Sequence, residues 1–263
     1  MAHDTPLVAA AFSPDGRKLA TASRDGVTYV RDAMQGRTLT IPMLHRGKAN
    51  AVRFSPEGTR VVTASDDRTA VIWDAVSGAP SAPPLEHQAE VWYARFSPLG
   101  DRVATASLDY TAKIRSTNGA RISEVRLGAP IEFLEFSADG TKVATASGDR
   151  TVRLWNAATG QPLTEPLRHA ELVTCVRLSP DGLRVITASK DGTAQVWDAA
   201  TGLKLGDPLR HDDWVISAGF GPDGRQAITA TLDGTARIWP VPIADSPIRP
   251  GLCEEAESAA RGW

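Results

Sequence analysis

The sequence predicts an all-β protein built from six similar units. Three observations lead to this prediction: an aspartate at a nearly fixed interval, a turn that recurs in step with it, and short apolar–polar alternations between turn residues. The aspartates are separated by 42, 42, 40, 42 and 42 residues, and they are Asp25, Asp67, Asp109, Asp149, Asp191 and Asp233. A period of this length indicates a repeat architecture.

Further landmarks recur in the same register. A Ser-Pro-Asp-Gly turn or a close variant occurs in each unit, at residues 13–16, 55–58, 97–100, 137–140, 179–182 and 221–224. All five histidines follow the repeat, and they are His3, His45, His87, His169 and His211, with Gly128 where a sixth would stand. Tryptophan follows the aspartate by six residues in four units, as Trp73, Trp155, Trp197 and Trp239, whereas Arg31 and Arg115 take its place in the other two.

Each unit contains four short β-rich runs. In the second unit they span residues 50–54, 60–65, 69–73 and 79–85, with turn residues between them. The fourth runs of the first five units are residues 37–44, 79–85, 120–127, 161–167 and 203–209, and most of them contain proline. Because proline cannot donate to a β-ladder, the fourth strand is expected at the outer edge of its sheet. Six such sheets bury their apolar faces by stacking radially into a ring.

The recurring histidine, the Ser-Pro-Asp-Gly turn, the aspartate turn and the endings Trp73-Asp74 and Trp197-Asp198 together resemble the WD-repeat β-propeller family, in particular its bacterial members. The resemblance implies a propeller of six four-stranded antiparallel blades over residues 1–250, followed by a tail at 251–263. The repeats are expected at residues 3–44, 45–86, 87–127, 128–168, 169–210 and 211–250. An incomplete or open ring of the seven-bladed type is the alternative.

The sequence leaves the closure of the ring open. The last blade must take its outer strand from residues 241–249, a proline-rich stretch that is poorly suited to a ladder. Three arrangements remain: a six-bladed ring closed by packing of the first sheet on the sixth, an open arc, and the C-terminal part of a longer array. The six-bladed ring is favoured, and an open arc would expose apolar faces and drive self-association.

Composition narrows the classes of partner and compartment. The chain has 29 basic and 31 acidic residues, so its charge gives no reason to expect nucleic acid or an anionic membrane as a partner. No apolar stretch approaches the roughly 18–20 residues of a membrane span, and the first residues lack the pattern of a secretory signal. Two cysteines make no disulfide framework, and we expect a cytoplasmic protein. No Cys-x-x-Cys pair, His-x-x-x-His pair or phosphate loop occurs, so neither a metal nor a cofactor is expected.

A histidine, a threonine, an aspartate and a tryptophan recur together in three repeats. In isolation they would suggest a nucleophilic triad, but an enzyme needs one positioned triad rather than one per repeat. The resemblance implies instead that each set forms a buried hydrogen-bond chain, because buried indole and carboxylate groups need partners. The sets are His45, Thr63, Asp67 and Trp73; His169, Thr187, Asp191 and Trp197; and His211, Thr229, Asp233 and Trp239. No residue is predicted to be catalytic.

Function is expected at positions that vary from repeat to repeat. In the resembled family, the loop before the first strand and the turn before the aspartate share one rim, which is the usual face for binding partners. The candidates on this rim are Trp92, Leu108, Tyr110, Trp214, Lys48, Glu90, Asp66, Lys190 and Arg24. Aromatic residues are typical of interface centres, so the aromatic members and Leu108 are the predicted anchors. Strand alternation is expected to turn either Trp92 or Tyr93 into the core.

These observations predict a non-catalytic scaffold that binds a protein or peptide on the rim. The alternative is the regulatory or sensor part of a bacterial signalling protein of the kinase-associated type, whose effector domain is absent from this sequence. A third hypothesis is an enzyme or small-ligand binder that uses the central channel. It requires a cluster of ionisable residues that does not repeat, and none is expected from the sequence.

Overall fold

The computed structural model describes residues 5–241, which contain 23 β-strands and no α-helix. The strands form six antiparallel sheets, and strands that are consecutive in the chain are neighbours within each sheet. The predicted all-β fold of six sheets is therefore confirmed. Within residues 5–241, no helix is long and apolar enough to cross a membrane.

The strands are numbered β1 to β23 in chain order. The first sheet contains β1 to β4, at Leu7–Phe12, Lys18–Ser23, Val27–Asp32 and Met43–Leu44, and the second contains β5 to β8, at Ala49–Phe54, Arg60–Ser65, Thr69–Asp74 and Leu85–Glu86. The third contains β9 to β12, at Val91–Phe96, Arg102–Ser107, Thr111–Ser116 and Arg121–Arg126, and the fourth contains β13 to β16, at Ile131–Phe136, Lys142–Ser147, Thr151–Asn156 and Leu167–Arg168. The fifth contains β17 to β20, at Val173–Leu178, Arg184–Ser189, Thr193–Asp198 and Leu209–Arg210, and the sixth contains β21 to β23, at Val215–Phe220, Gln226–Thr231 and Ala236–Pro240.

Proline limits the length of the fourth strands. In the first, second, fourth and fifth sheets the fourth strand has only two residues, and a single bridge, such as that between Trp73 and Pro80, precedes it. The third sheet has a fourth strand of six residues, Arg121–Arg126, and this segment contains no proline. The contrast follows from the missing donor of proline. The outer strand expected at residues 241–249 lies, apart from Val241, outside the described residues, as does the tail at 251–263.

The apolar core lies between successive sheets. Ile72 and Ala64 of the second sheet, for example, are fully buried against Val91 and Val103 of the third. Equivalent clusters join each of the other pairs of successive sheets. Each inner sheet therefore buries both faces, which is the main favourable contribution to folding.

The innermost strands surround one central cavity. Residues of β1, β5, β9, β13, β17 and β21 all line this space of about 580 Å³. The exposed prolines of the Ser-Pro turns surround one of its openings: Pro14, Pro56, Pro98 and Pro180. The sheets are thus arranged about one axis as the blades of a propeller.

The first and sixth sheets do not pack on one another within residues 5–241. Ile228 on the sixth sheet is 50% exposed, whereas its equivalent on the fifth sheet, Ile186, is fully buried. Ile238 on the sixth sheet and Leu7 on the first sheet are exposed as well. The expected closure by packing of these two sheets is therefore not found among the described residues, because their apolar clusters join only successive sheets and leave Ile228 exposed.

The matched pair Ile186 and Ile228 tests this open face. Ile186→Ala is expected to lower the free energy of unfolding by about 2–5 kcal/mol, because it leaves a cavity between two sheets. Ile228→Ala is expected to cost less than about 1 kcal/mol, because its side chain already contacts water. Urea denaturation of the two variants measures the difference. Equal losses would show that the sixth sheet is covered in solution.

Candidate functional site

Two of the predicted four-residue sets form continuous hydrogen-bond chains. In the second sheet, His45 Nδ1 lies 2.8 Å from Asp67 Oδ2, and His45 Nε2 lies 2.6 Å from Thr63 Oγ1. The indole Nε1 of Trp73 donates to the same hydroxyl at 2.7 Å. The fifth sheet repeats this geometry, with His169–Asp191 at 2.9 Å, His169–Thr187 at 2.6 Å and Trp197–Thr187 at 2.8 Å.

The donor hydrogens of these chains are all used in hydrogen bonds within the protein. The Thr63 hydroxyl accepts from the indole N–H and donates to His45 Nε2, which leaves His45 Nδ1–H to donate to Asp67. In the fifth sheet, burial lowers the pKa of His169, and the opposing effect of the Asp191 carboxylate is smaller. Both threonine hydroxyls are fully buried. These two sets therefore present no nucleophile to solvent.

The third sheet holds a shorter version of the chain. His87 lies 3.0 Å from Asp109 and 2.8 Å from the Thr105 hydroxyl, and no tryptophan follows. Burial raises the pKa of Asp109, but hydrogen bonds from Thr111 and from the Gln88 amide, together with the charge of His87, lower it to about 2. The carboxylate is thus held in its ionised form as a hydrogen-bond acceptor.

The fourth sheet lacks the histidine. Trp155 still donates to the Thr145 hydroxyl at 2.9 Å. Asp149 accepts from the hydroxyl of Thr151 at 2.5 Å and from Arg153 at 3.4 Å. It therefore caps its own turn and is not hydrogen-bonded to the pair formed by Trp155 and Thr145. In the first repeat the corresponding histidine, His3, lies outside the described residues.

The sixth set is incomplete, contrary to the prediction. His211 Nε2 lies 2.9 Å from the Thr229 hydroxyl, and Trp239 donates to that hydroxyl at 2.8 Å. His211 Nδ1, however, is buried without a hydrogen-bond partner, and Asp233 accepts from the Thr231 hydroxyl at 2.5 Å instead. Asp233 is exposed, and its carboxylate accepts from the Thr231 hydroxyl and the Thr235 amide of its own turn rather than from His211, so its hydrogen bonds are satisfied locally.

A β-bulge sets the direction of the rim side chains. In all six sheets, the pairing of the innermost strand with the second strand shifts register at the rim end. In the third sheet the extra residue is Trp92, which is 43% exposed. Its neighbour Tyr93 packs between two sheets, with its ring 5.2 Å from that of Phe133. Because a bulge re-aims the side chain of its extra residue, Trp92 faces solvent while Tyr93 joins the core.

The turn between the second and third strands presents Tyr110. This side chain is 41% exposed, and its backbone has a φ of 71°. Glycine occupies the equivalent position in three other repeats, as Gly26, Gly192 and Gly234. Arginine occupies it in the other two described repeats, as Arg68 and Arg150, also with a positive φ. A non-glycine residue in this left-handed region costs on the order of 1 kcal/mol, so the second, third and fourth repeats each carry strain that glycine would relieve. Leu108, two residues earlier, is half-buried.

The other rim candidates differ in exposure and in their contacts. Trp214 is 44% exposed, and the Lys190 ammonium lies 4.4 Å from its ring centroid, a cation–π contact between the fifth and sixth sheets. Asp66 accepts from the Asn50 amide at 2.7 Å. The remaining candidates are the half-buried Lys48 and Glu90 and the exposed Arg24.

The structure also brings together a cluster of ionisable residues that was not expected from the sequence. Arg53, Arg95, Glu135 and Arg177 occupy the same position in four innermost strands and line the central cavity. Nη1 of Arg95 and Nη1 of Arg177 lie 2.6 Å and 2.7 Å from one oxygen, Glu135 Oε2. The expectation that no such cluster converges on the channel is therefore wrong. Comparing this single position across the six repeats would have revealed it.

A second cavity, of about 400 Å³, lies at the rim beside the first three sheets. Lys48 and Trp92 line it together with Arg53, and none of the described residues that line it is acidic. Arg53 lines the central cavity as well. One guanidinium therefore belongs to the walls of both cavities.

The described residues contain no candidate metal centre. Within residues 5–241, no three histidine, cysteine, aspartate or glutamate side chains come together in a way that could ligate an ion. The nitrogens of His45 and His169 are occupied by hydroxyl and carboxylate groups of their own sheets. Cys175 is buried, with its Sγ 3.5 Å from the Ala218 carbonyl oxygen.

The fold and the repeated hydrogen-bond sets define a β-propeller of equivalent blades. The family model described as "WD domain, G-beta repeat" matches residues 1–32, 37–74, 84–116, 126–156, 160–198 and 206–240. These segments make up more than half of the chain, so the chain belongs to this family, and the predicted membership in the WD-repeat family is confirmed. Propellers of this family are commonly scaffolds for protein interactions.

A solved structure has the same architecture. The crystal structure of the computationally designed Ika8 protein is similar to this chain, with a TM-score of 0.82 and 25% sequence identity. The match covers 91% of this chain and 72% of that one. Among curated proteins no match was found.

Removal of the aspartate from a complete and from an incomplete set tests the structural role of these chains. Asp191→Ala is expected to lower the free energy of unfolding by about 1–3 kcal/mol, because His169 Nδ1 and the Ala170 amide lose their acceptor. Asp149→Ala is expected to cost less, because no histidine depends on it. Thermal melts of the two variants measure the ranking. Equal losses would contradict a hydrogen-bond chain that stabilises through its histidine.

Proposed function

We propose that the protein is a non-catalytic scaffold that binds a protein or peptide partner on the rim carrying Trp92, Tyr110 and Trp214. The observation that carries this proposal is the exposure of three large aromatic side chains at the rim ends of a propeller whose other tryptophans in the described residues are buried or half-buried. Exposed aromatic groups of this size are typical anchors of protein interfaces.

The surroundings of Trp92 support an anchoring role. Its indole borders the rim cavity of about 400 Å³, which offers a partner side chain a concave surface next to an aromatic face. Lys48 and Arg53 contribute positive charge to the same cavity, whereas Asp66 and Glu90 provide acidic groups elsewhere on the rim. Complementary charges of this kind select and orient a partner more than they add affinity.

The conformation of Tyr110 supports the same role. A tyrosine with a positive φ destabilises the turn relative to the glycine found in three repeats, as Arg68 and Arg150 do at the same position of the second and fourth repeats. Strained positions of this kind cluster at functional sites, where the side chain contributes something other than stability. In the scaffold, Tyr110 supplies a contact to the partner.

The lack of catalysis is supported by the repeated sets. Their hydroxyl, imidazole and carboxylate groups bond one another inside the second and fifth sheets. Each set is a local support of one blade, and the same support occurs in both of these blades. An enzyme instead concentrates its nucleophile and base at one accessible position.

The double variant Trp92→Ala with Tyr110→Gly tests the rim. Tyr110→Gly relieves backbone strain, so the double variant is expected to remain folded. Its free energy of binding to the partner is expected to weaken by about 2 kcal/mol or more. Affinity capture with the wild-type chain, identification of the retained protein and titration of that purified protein measure the loss.

Leu99→Ala is the matched control for this test. Leu99 is an exposed large apolar residue in the Ser-Pro turn of the same sheet, at the end opposite the rim. The control is expected to bind as the wild type does. Equal binding by the double variant, or equal loss in Leu99→Ala, would remove the rim as the binding surface.

A second role, self-association, is favoured by the open apolar faces. Within the chain, the face that carries Ile186 packs on the strands that follow it. The equivalent face of the sixth sheet carries the exposed Ile228 and Ile238. The first sheet exposes Leu7, whose equivalents in the later sheets pack against the preceding sheet. We propose that the sixth sheet of one copy packs on the first sheet of a second copy in a head-to-tail contact.

Sedimentation velocity over a range of concentrations tests this contact. The wild type is expected to form dimers or larger species as concentration rises, whereas Ile228→Lys with Ile238→Lys is expected to remain monomeric, because two buried charges would oppose the contact. Leu99→Lys serves as the control and is expected to associate as the wild type does. A wild type that is monomeric at every concentration would contradict self-association.

A further inference from the structure

One residue position in the wall of the central cavity varies from repeat to repeat. The second-last residue of each innermost strand lines the cavity, and in chain order these residues are Ala11, Arg53, Arg95, Glu135, Arg177 and Gly219. Two of the six are small, and the other four are charged. The propeller therefore presents its charges on one side of the channel, from the second to the fifth sheet, and leaves free space beside the first and the sixth.

The charges at this position do not balance. Three guanidinium groups face one carboxylate, and Arg95 and Arg177 both bond the same oxygen of Glu135. Arg53 donates to the Val52 carbonyl at 2.8 Å, and no carboxylate among the described residues pairs with it. An excess of positive charge is costly in a partly buried cavity unless an anion compensates it.

The electrostatics of Arg53 reflect this excess. Burial lowers the pKa of the Arg53 guanidinium, and the positive charges of Arg95 and Arg177 lower it further, against the opposing effects of Tyr93 and Glu135. The guanidinium remains charged at neutral pH because its ordinary pKa is far above that range. A positive potential in a cavity with apolar walls attracts anions into the site.

The geometry indicates which anion fits. Glu135 already shows that a carboxylate is accepted between two of these arginines, and the planar fork of a guanidinium matches a carboxylate in two parallel hydrogen bonds. The negative charge of Glu135 repels a phosphate dianion more strongly than a singly charged carboxylate, so a carboxylate is favoured at this site. Phenylalanines also line the cavity, namely Phe12, Phe54, Phe96, Phe136 and Phe220, so the carrier of the carboxylate meets apolar contacts there.

We propose that the central cavity is a binding site for a singly charged carboxylate with an apolar carrier, and that Arg53 is its principal ligand, with Arg95 and Arg177 beside it. The carboxylate comes either from an acidic side chain in a peptide or from a free aromatic or aliphatic acid. This site is separate from the aromatic anchors of the rim, although Arg53 also borders the rim cavity.

Titration of the full chain, followed by nuclear magnetic resonance, tests the site. The probes are a blocked pentapeptide with a central glutamate between two phenylalanines, the same peptide with glutamine in place of glutamate, and free benzoate. The glutamate peptide or benzoate is expected to bind and the glutamine peptide is not. Binding of the peptide alone identifies a peptide side chain as the source of the carboxylate, and binding of benzoate identifies a free acid.

Two variants are expected to move the affinity in opposite directions. Arg53→Gln is expected to weaken binding at least about tenfold, because it removes a charged hydrogen-bond donor. Glu135→Gln is expected to strengthen binding several-fold, because it removes the competing carboxylate and releases Arg95 and Arg177. Arg121→Gln, at an exposed arginine of the outer strand β12, is the control for loss of one positive charge and is expected to change nothing.

Several results would overturn the site. They are absence of binding by both acidic probes, equal affinity for the glutamate and glutamine peptides, unchanged affinity in Arg53→Gln, and equal weakening in Arg121→Gln. Thermal melts of each variant verify the fold. If Arg53→Gln does not fold, the comparison of the two peptides on the wild type and on Glu135→Gln decides the question.

Discussion

The structure depends on burying both faces of each sheet while keeping its polar groups paired. A blade between two others has apolar contacts on each side, so any indole, imidazole or carboxylate within it must find a partner in the same blade. The histidine–threonine–aspartate–tryptophan chains of the second and fifth sheets meet this requirement. In the sixth sheet, the aspartate accepts from a hydroxyl of its own turn and leaves the histidine nitrogen without a partner among the described residues.

The same constraint explains what the sequence could predict. Because each blade solves the same burial problem, its solution recurs at a fixed spacing, and the six sheets, their strands and the hydrogen-bonded sets could be inferred from that recurrence. The short fourth strands followed from proline. Closure could not be inferred, because it depends on whether two faces distant in sequence meet, and no local residue pattern reports the curvature of the array.

The binding surfaces were predictable only in part. Trp92 could be placed on the rim from the repeat, but a bulge, which does not show in the alternation of residue types, decides that it faces solvent and Tyr93 does not. The arginines of the channel escaped prediction for another reason. Each belongs to a different repeat, and Arg53, Arg95 and Arg177 stand out only when the same position is compared across the repeats of a propeller.

The uneven support of the blades has a consequence for dynamics. In an array of this kind, stability is the sum of each unit and its contacts with neighbours, so the two blades with one neighbour among residues 5–241, the first and the sixth, open before the others. The sixth sheet has three described strands and an unpaired His211 nitrogen, and the cation–π contact of Trp214 with Lys190 links it to the fifth. A partner that binds both Trp214 and Lys190 would slow hydrogen exchange in the last blade, so occupancy of the rim would slow the opening of the propeller from that end.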